Sequence, residues 1–390
     1  MTQHVYSDVA IAAVFNTRQA RVLEGYDSLR IATEAARGVL AEAGMDATEV
    51  DGVFGQFSSE LIYSLGLGSV WAGAAMGGGI QVILEAANAI ATGNCHTALV
   101  TGGGAGIYTE RASTAPWTRP SNEFVVSFGM YTALEFALIA RRHMEMYGTK
   151  PEQLATVAAT IRNNGHINPE AAYYGRGPFT VEDVLSSRMV ADPFHLLDCS
   201  MTGEGGSALL LTTAGRGADS RQKPVYILGG GIDHAGPAYQ HPPSWDLVGR
   251  GDDEVPNGYV GRRGARHAFA MAGLSPADVD VCEFYDPFSF EIIRQFEAFE
   301  FCGPGEGGDF VMDGNIAPGG RYPTTTDGGL MAFSHGGGTV QLLQRVVRGA
   351  QQLQGTCRTN QVPGAEVALC SNGGAGALFN DVILLGGNRP

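Results

Sequence analysis

Apolar and polar positions along this chain follow two patterns. Short, nearly continuous apolar runs that end in glycine, TALVTGGG (97–104) and EVALCSNGG (366–374), read as buried strands. Longer stretches space their apolar residues three and four apart. Val340, Leu343, Val346, Val347, Ala350 and Leu353 would line one face of a helix that opens at a glycine run. Strands and helices alternate, which predicts α/β layers.

The pattern occurs twice. AEAGMDATEVD (41–51) and AMAGLSPADVD (270–280) share A-x-A-G-φ-x-x-x-acid-V-D, where φ is Met45 or Leu274. Each predicts a helix end capped by glycine, a turn and a strand. GGGIQVILEAANAIATG (77–93) matches GGGTVQLLQRVVRGAQQLQG (336–355), and GGSALLLTT (205–213) echoes GAGALFNDVILL (374–385). Matches in the same order predict a duplication. The first half takes 1–104 plus 186–215, and the second takes 222–390. Residues 105–185 have no counterpart and form an inserted loop domain. Two helices are expected there, over 131–147 before Gly148 and over 152–163 after Pro151 at N1.

Composition narrows the function classes. Hydrophobic residues at 44% and charged residues at 17% exclude a disordered chain. The 56 glycines cluster in runs such as Gly102–Gly104, Gly229–Gly231 and Gly336–Gly338, without the triplet period of collagen. A net charge of -15 with no basic stretch argues against nucleic acid or an anionic membrane as partner. The N-terminal stretch lacks the charged and apolar regions of a signal peptide, and no apolar run reaches the roughly 18 residues of a membrane span. The six cysteines are scattered without a CxxC pair, so no structural metal and free thiols are expected, in a cytoplasmic protein. There is no HExxH or GxSxG, and no glycine run fits a dinucleotide fingerprint. Asp51 and Asp280 occupy matching repeat positions and read as structural.

Four stretches carry a family resemblance: NNGHINPEAAYY (163–174), LLDCSMTGEGGSALLL (196–211), the segment from Glu283 to Val311 that contains Tyr285-Asp286-Pro287-Phe288, and DGGLMAFSHGGG (327–338). With the duplicated halves, they resemble the thiolase superfamily over essentially the whole chain. The likeness is nearest to the sterol-carrier-protein/lipid-transfer branch and its steroid side-chain-cleaving aldolases. The resemblance implies a five-layered αβαβα sandwich of two duplicated halves with an inserted loop domain, a homodimer, and acyl-CoA substrates. It also implies a small OB-fold/zinc-ribbon partner and no cofactor beyond the CoA of the substrate. Arg111, Arg119, Arg141 and Arg142 of the insertion could meet CoA phosphates, or be solvated surface residues.

The resemblance also places the site. The slot of the thiolase nucleophile, just before the first central helix, falls on Ala74 in WAGAAMGGG, two residues before Met76. A methyl group cannot accept an acyl group, so the covalent mechanism is expected to be lost. Tyr285 stands where the family holds a polar residue of its second motif. It reads either as an acid or base with a lowered pKa, or as a strand-end tyrosine bonded in the core. His335 matches the histidine of Gly-His-Pro. Near a positive helix end it would be a neutral hydrogen-bonding group or base, or simply a surface histidine. Cys370-Ser371-Asn372-Gly373-Gly374 matches the C-x-G-G-G motif with Asn372 as the one change. Cys370 could exchange a proton with the substrate α-carbon or be a buried apolar thiol. The Gly373 and Gly374 amides could bind an oxyanion. Tyr285, His335 and Cys370 are thus the catalytic candidates, and Ala74, Met76, Asn372, Gly373 and Gly374 the substrate-binding ones.

Without a nucleophile but with oxyanion donors, the chemistry that remains is enolate stabilisation. The expected reaction is retro-aldol cleavage of a β-hydroxyacyl-CoA with a steroid- or terpenoid-type acyl group, giving a ketone or aldehyde and a shorter acyl-CoA. A non-catalytic acyl-CoA-binding subunit, or an acyltransferase with a different nucleophile, are the alternatives.

Overall fold

A computed structural model describes residues 4–73, 79–106, 132–234, 259–336, 340–374 and 379–390. Ala74, Met76, Arg111 and Arg119 lie outside the described residues. The strands are β1 (Val9–Asn16), β2 (Gly52–Gly55), β3 (Trp71–Ala72), β4 (Thr97–Gly104), β5 (Met189–Ala191), β6 (Phe194–His195), β7 (Gly205–Thr213), β8 (Val225–Gly231), β9 (Val281–Glu283), β10 (Val367–Gly374) and β11 (Phe379–Gly386). The principal helices are α1 (Ser28–Ala43), α2 (Ile80–Ala91), α3 (Thr132–Tyr147), α4 (Pro151–Ile167), α5 (Arg262–Ala272), α6 (Ser289–Ala298) and α7 (Val340–Gln354).

The sheet displays the duplication. Its order is β3-β2-β4-β7-β1-β8-β11-β10-β9. In the first half, β2 runs parallel to β4, and β7 lies antiparallel between β4 and β1. In the second, β9 runs parallel to β10, and β11 lies antiparallel between β10 and β8. The halves join where Ala10 and Ile11 of β1 pair with Tyr226 and Val225 of β8.

The repeated sequence motif does the same local work in both places. Gly44 and Gly273 end α1 and α5 in the left-handed region, at φ 71° and 66°, where a side chain would be strained. Asp51 accepts from the Thr97 amide at 2.7 Å, where β4 begins. Asp280 accepts from the Val367 amide at 3.0 Å, where β10 begins. Both aspartates thus tie one strand start to its parallel neighbour.

Side-chain alternation sorts each strand between two cores. Leu209 and Leu211 of β7, and Ile383 and Leu385 of β11, face a shared central layer with α2 and α7. Ala208 and Leu210 face outward onto α1. Val382 and Leu384 face outward onto a core that holds α5, α6 and the insertion helices α3 and α4. The layers therefore run α, β, α, β, α, with α2 and α7 in the middle. No helix among the described residues is long and apolar enough to cross a membrane.

Candidate active site

Tyr285 leaves the end of β9 and is pinned through its main chain. Its amide donates to Ser371 Oγ of β10 at 3.0 Å, and its carbonyl accepts from Gln295 Nε2 of α6 at 2.7 Å. Ser371 Oγ donates in turn to Gln295 Oε1. The ring is buried against Leu330. It also lies beside Gly373, where a Cβ would come within 3.3 Å of the ring.

The next residue, Asp286, organises the backbone that leads to His335. Its oxygens accept from the amides of Leu330 at 2.9 Å and Met331 at 3.2 Å. These belong to a π-helical turn, Gly329–Phe333, that immediately precedes Ser334 and His335. A Cβ on Gly329 would overlap the Asp286 carboxylate, and the residue has φ +56°, so glycine is required twice over. Burial pushes the Asp286 carboxyl up to about 7, against the pull of Arg345 and the two amides. Below this turn, Arg345 of α7 bonds Asp327 at 2.7 Å and Glu283 at 3.3 Å, anchoring it to the central helix.

His335 is half-buried, and its Nδ1 lies 2.9 Å from Ser200 Oγ. The loop around Ser200 stitches the two motifs together. The Ser200 amide donates to the Pro287 carbonyl at 2.8 Å, the Met201 amide to the Leu330 carbonyl at 3.0 Å, and the Gly203 amide to the His335 carbonyl at 3.1 Å. Tyr285, Asp286 and His335 therefore share one frame, with Ser200 at its centre. Sequence reasoning missed Ser200: it lies inside the LLDCSMTGEGG stretch, but nothing local separates it from any loop serine.

Asn372 bridges the two halves. Its Oδ1 accepts from the Ile80 amide at the N-terminus of α2 at 2.9 Å, and its Nδ2 donates to Asp381 Oδ2 at 3.2 Å. Asp381 is held by His234 at 3.2 Å, whose pKa is raised, first by that hydrogen bond. Both polar ends of Asn372 are therefore engaged within the chain. Gly373 and Gly374 follow it in the β10–β11 ladder opposite Asn380 and Phe379.

Cys370 stands apart from this group. It faces the central layer, fully buried, where a Cβ on Gly349 of α7 would overlap its sulfur. Burial, then Glu283, pushes its thiol well above the ordinary value, with Arg345 pulling back. The other thiols rise as well, chiefly through burial: Cys95 to about 11, Cys199, Cys302 and Cys357 to about 12, and Cys282 well above the ordinary thiol value. None has the lowered pKa of a reactive thiolate. Of the insertion arginines, Arg141 is exposed and lies 3.7 Å from Asp192.

Comparison with known proteins gives a consistent picture. Residues 259–387 match the family model described as "Thiolase C-terminal domain-like". The chain is 33% identical over 374 residues to a 17-hydroxy-3-oxo-4-pregnene-20-carboxyl-CoA lyase of Mycobacterium tuberculosis, covering 90% of this chain and 92% of that protein. It is 30% identical over 374 residues to a steroid side-chain-cleaving aldolase of Thermomonospora curvata, covering 90% and 93%. It is 32% identical over 388 residues to an acetyl-CoA acetyltransferase of Methanothermobacter thermautotrophicus, covering 95% and 97%. A solved structure named "Ltp2-ChsH2(DUF35) aldolase" superposes with a TM-score of 0.82 at 27% identity, covering 97% of this chain and 98% of that one.

Proposed function

The chain belongs to the thiolase superfamily, in its sterol-carrier-protein branch, and from that premise we propose that it is a carbon–carbon lyase acting on acyl-CoA. Its reaction is retro-aldol cleavage of a β-hydroxyacyl-CoA whose acyl group is steroid- or terpenoid-like. The observation that carries the reading is the frame around Ser200. Through Ser200 it ties the His335 imidazole to the backbone of the Tyr285-Asp286-Pro287 loop, and no activated thiol belongs to it. The two relatives named as a CoA-ester lyase and a side-chain-cleaving aldolase support it.

In the proposed mechanism, Tyr285 acts as its phenolate: it takes the proton of the β-hydroxyl and becomes the neutral phenol. The Cα–Cβ bond breaks, its electron pair moves to the thioester oxygen as an enolate, and a ketone leaves. His335, or the amides of Gly373 and Gly374, hold the enolate oxygen. A hydroxyl proton from Ser200 to Nδ1 would leave Nε2–H as the donor, the tautomer this role requires. The Tyr285 phenol returns that proton to the α-carbon, which regenerates the phenolate and releases the shorter acyl-CoA. No cofactor is needed beyond the CoA of the substrate. Cys370 takes no part, because its thiol is buried against Gly349.

We further propose that the chain works as a homodimer with an OB-fold/zinc-ribbon partner; the two-component name of the aldolase that superposes on it supports a partner protein. The test is to give the purified chain, alone and with its partner, a bulky β-hydroxyacyl-CoA and to look for ketone and shortened acyl-CoA by mass spectrometry. Tight binding without turnover in the presence of the partner would replace the lyase by a binding subunit. A trapped covalent acyl-enzyme would replace it by an acyltransferase.

A further inference from the structure

Arg162 is a nearly buried guanidinium on insertion helix α4 that no step of the proposed reaction uses. It spends its donors on three backbone carbonyls: Nε on Leu197 at 2.7 Å, Nη2 on Cys199 at 2.7 Å and Nη1 on Met331 at 2.9 Å. The first two flank the start of the Ser200 loop, and the third belongs to the π-helical turn before His335. One side chain of the insertion thus grips both strips of backbone that meet at the Ser200–His335 contact.

The rest of this helix and the loop after it press on the same turn. A Cβ on Gly165 would overlap the Ala332 side chain. The Ala172 amide donates to the Phe333 carbonyl at 2.9 Å, and the Tyr173 amide to the Ala332 carbonyl at 3.1 Å. Asn168 Nδ2 donates to the Asp327 carbonyl at 3.0 Å. The NNGHINPEAAYY stretch is therefore the backing of the turn. On the turn's other side, Asp286 accepts from the Leu330 and Met331 amides. At Met331 the two grips meet on one residue: Arg162 takes its carbonyl and Asp286 its amide.

We propose that Arg162 and Asp286 are positioning residues that clamp the π-helical turn from opposite sides, so that docking of the insertion sets the geometry of the Ser200–His335 pair. A π-helical turn is a strained segment that persists where surrounding contacts over-determine it. The buried carbonyls at Leu197, Cys199 and Met331 call for a planar, multi-pronged donor. A lysine would supply a point charge and cannot satisfy all three in this arrangement.

This inference rests on the lyase reading, and its test separates the two. Arg162→Lys and Asp286→Asn are assayed with the proposed partner protein on a bulky β-hydroxyacyl-CoA, beside Thr156→Ala, whose hydroxyl bonds, among the described residues, only Glu152 and Met312. A misplacement of roughly 1 Å costs about 100-fold in rate, so kcat should fall by about 10- to 100-fold in both clamp variants. KM should stay within about two-fold, and Thr156→Ala should match the wild type. Folded clamp variants with wild-type kcat, or with KM raised and kcat kept, would overturn the proposal. A further arm needs no variant: amide hydrogen exchange at Leu330 and Met331 of the wild-type chain should be among the slowest outside the sheet, and rapid exchange there would also overturn it. Absence of cleavage by the wild type refutes the lyase reading, while the exchange arm still decides the clamp.

Discussion

Replacing Asn372 by alanine should weaken the fold more than it weakens substrate binding. The substitution leaves the main-chain carbonyl, and with it the bond from Asn380 Nδ2 at 2.7 Å, in place. It removes two side-chain bonds, from the Ile80 amide at 2.9 Å and to Asp381 at 3.2 Å. The Ile80 amide is then a buried helix-terminal donor without its acceptor, which costs about 1–3 kcal/mol, in line with the roughly 0.5–2 kcal/mol of a lost N-cap. Asp381 keeps His234 and the Asp233 amide on its other oxygen, so its loss sits at the low end, about 1 kcal/mol. The sum is about 2–4 kcal/mol. Urea unfolding at fixed protein concentration measures it, provided fluorescence and circular dichroism transitions coincide. Asn372→Asp separates the two bonds: it restores an acceptor for Ile80 but sets a carboxylate against Asp381. It should therefore be destabilised at neutral pH and recover as the pH falls. An Asn372→Ala variant of unchanged stability with a raised KM would refute this reasoning and return Asn372 to direct substrate contact.

Three further outcomes are expected. Ser200→Ala should lower kcat by about ten-fold, the worth of one neutral hydrogen bond of about 1.4 kcal/mol, with KM little changed in steady-state assays. Cys370→Ala should keep wild-type kcat, and a drop beyond about ten-fold would restore the thiol to the mechanism. Asp286 has a folded-state pKa raised to about 7, so between about pH 4 and 7 the folded chain holds a proton that the unfolded chain has released. Wild-type stability relative to Asp286→Asn should therefore fall as pH rises through that window and level off above it, which unfolding at pH 5 and pH 8 would show.

The duplication was legible because it is written in spacing. A glycine cap, an acidic residue at a strand start and a run of apolar residues recur in order, and each is a local signal. Asp51 and Asp280 show how far that extends, since matching positions make matching bonds to Thr97 and Val367. In β10, Ala368 and Cys370 face the central layer, and strand alternation puts Asn372 on the same face. Cys370 therefore sits two residues deeper than the Asn372 cap, roughly 7 Å further along the strand. What local pattern could not supply was pairing across the chain. Ser200 meets His335 across 135 residues, and Arg162 meets Met331 across 169. A loop serine and a helix arginine look alike wherever they stand, and only the packed layers select these two. The bonds of Asn372 were hidden for the same reason. Its place in a glycine motif pointed to the substrate, while its acceptor role is to the helix start at Ile80, 292 residues away.

Comparing the wild type with Tyr285→Phe, each with the proposed partner protein, on a bulky β-hydroxyacyl-CoA tests the base assignment directly. The Tyr285 phenolate is the proposed base, and general-base catalysis contributes about 10²- to 10⁴-fold. The wild type should release a ketone and a shorter acyl-CoA without any acyl-enzyme mass. Tyr285→Phe should stay folded, bind the ester and lose at least about 100-fold in kcat. Undiminished cleavage by Tyr285→Phe would contradict the proposed mechanism, and no cleavage by the wild type would contradict the lyase itself.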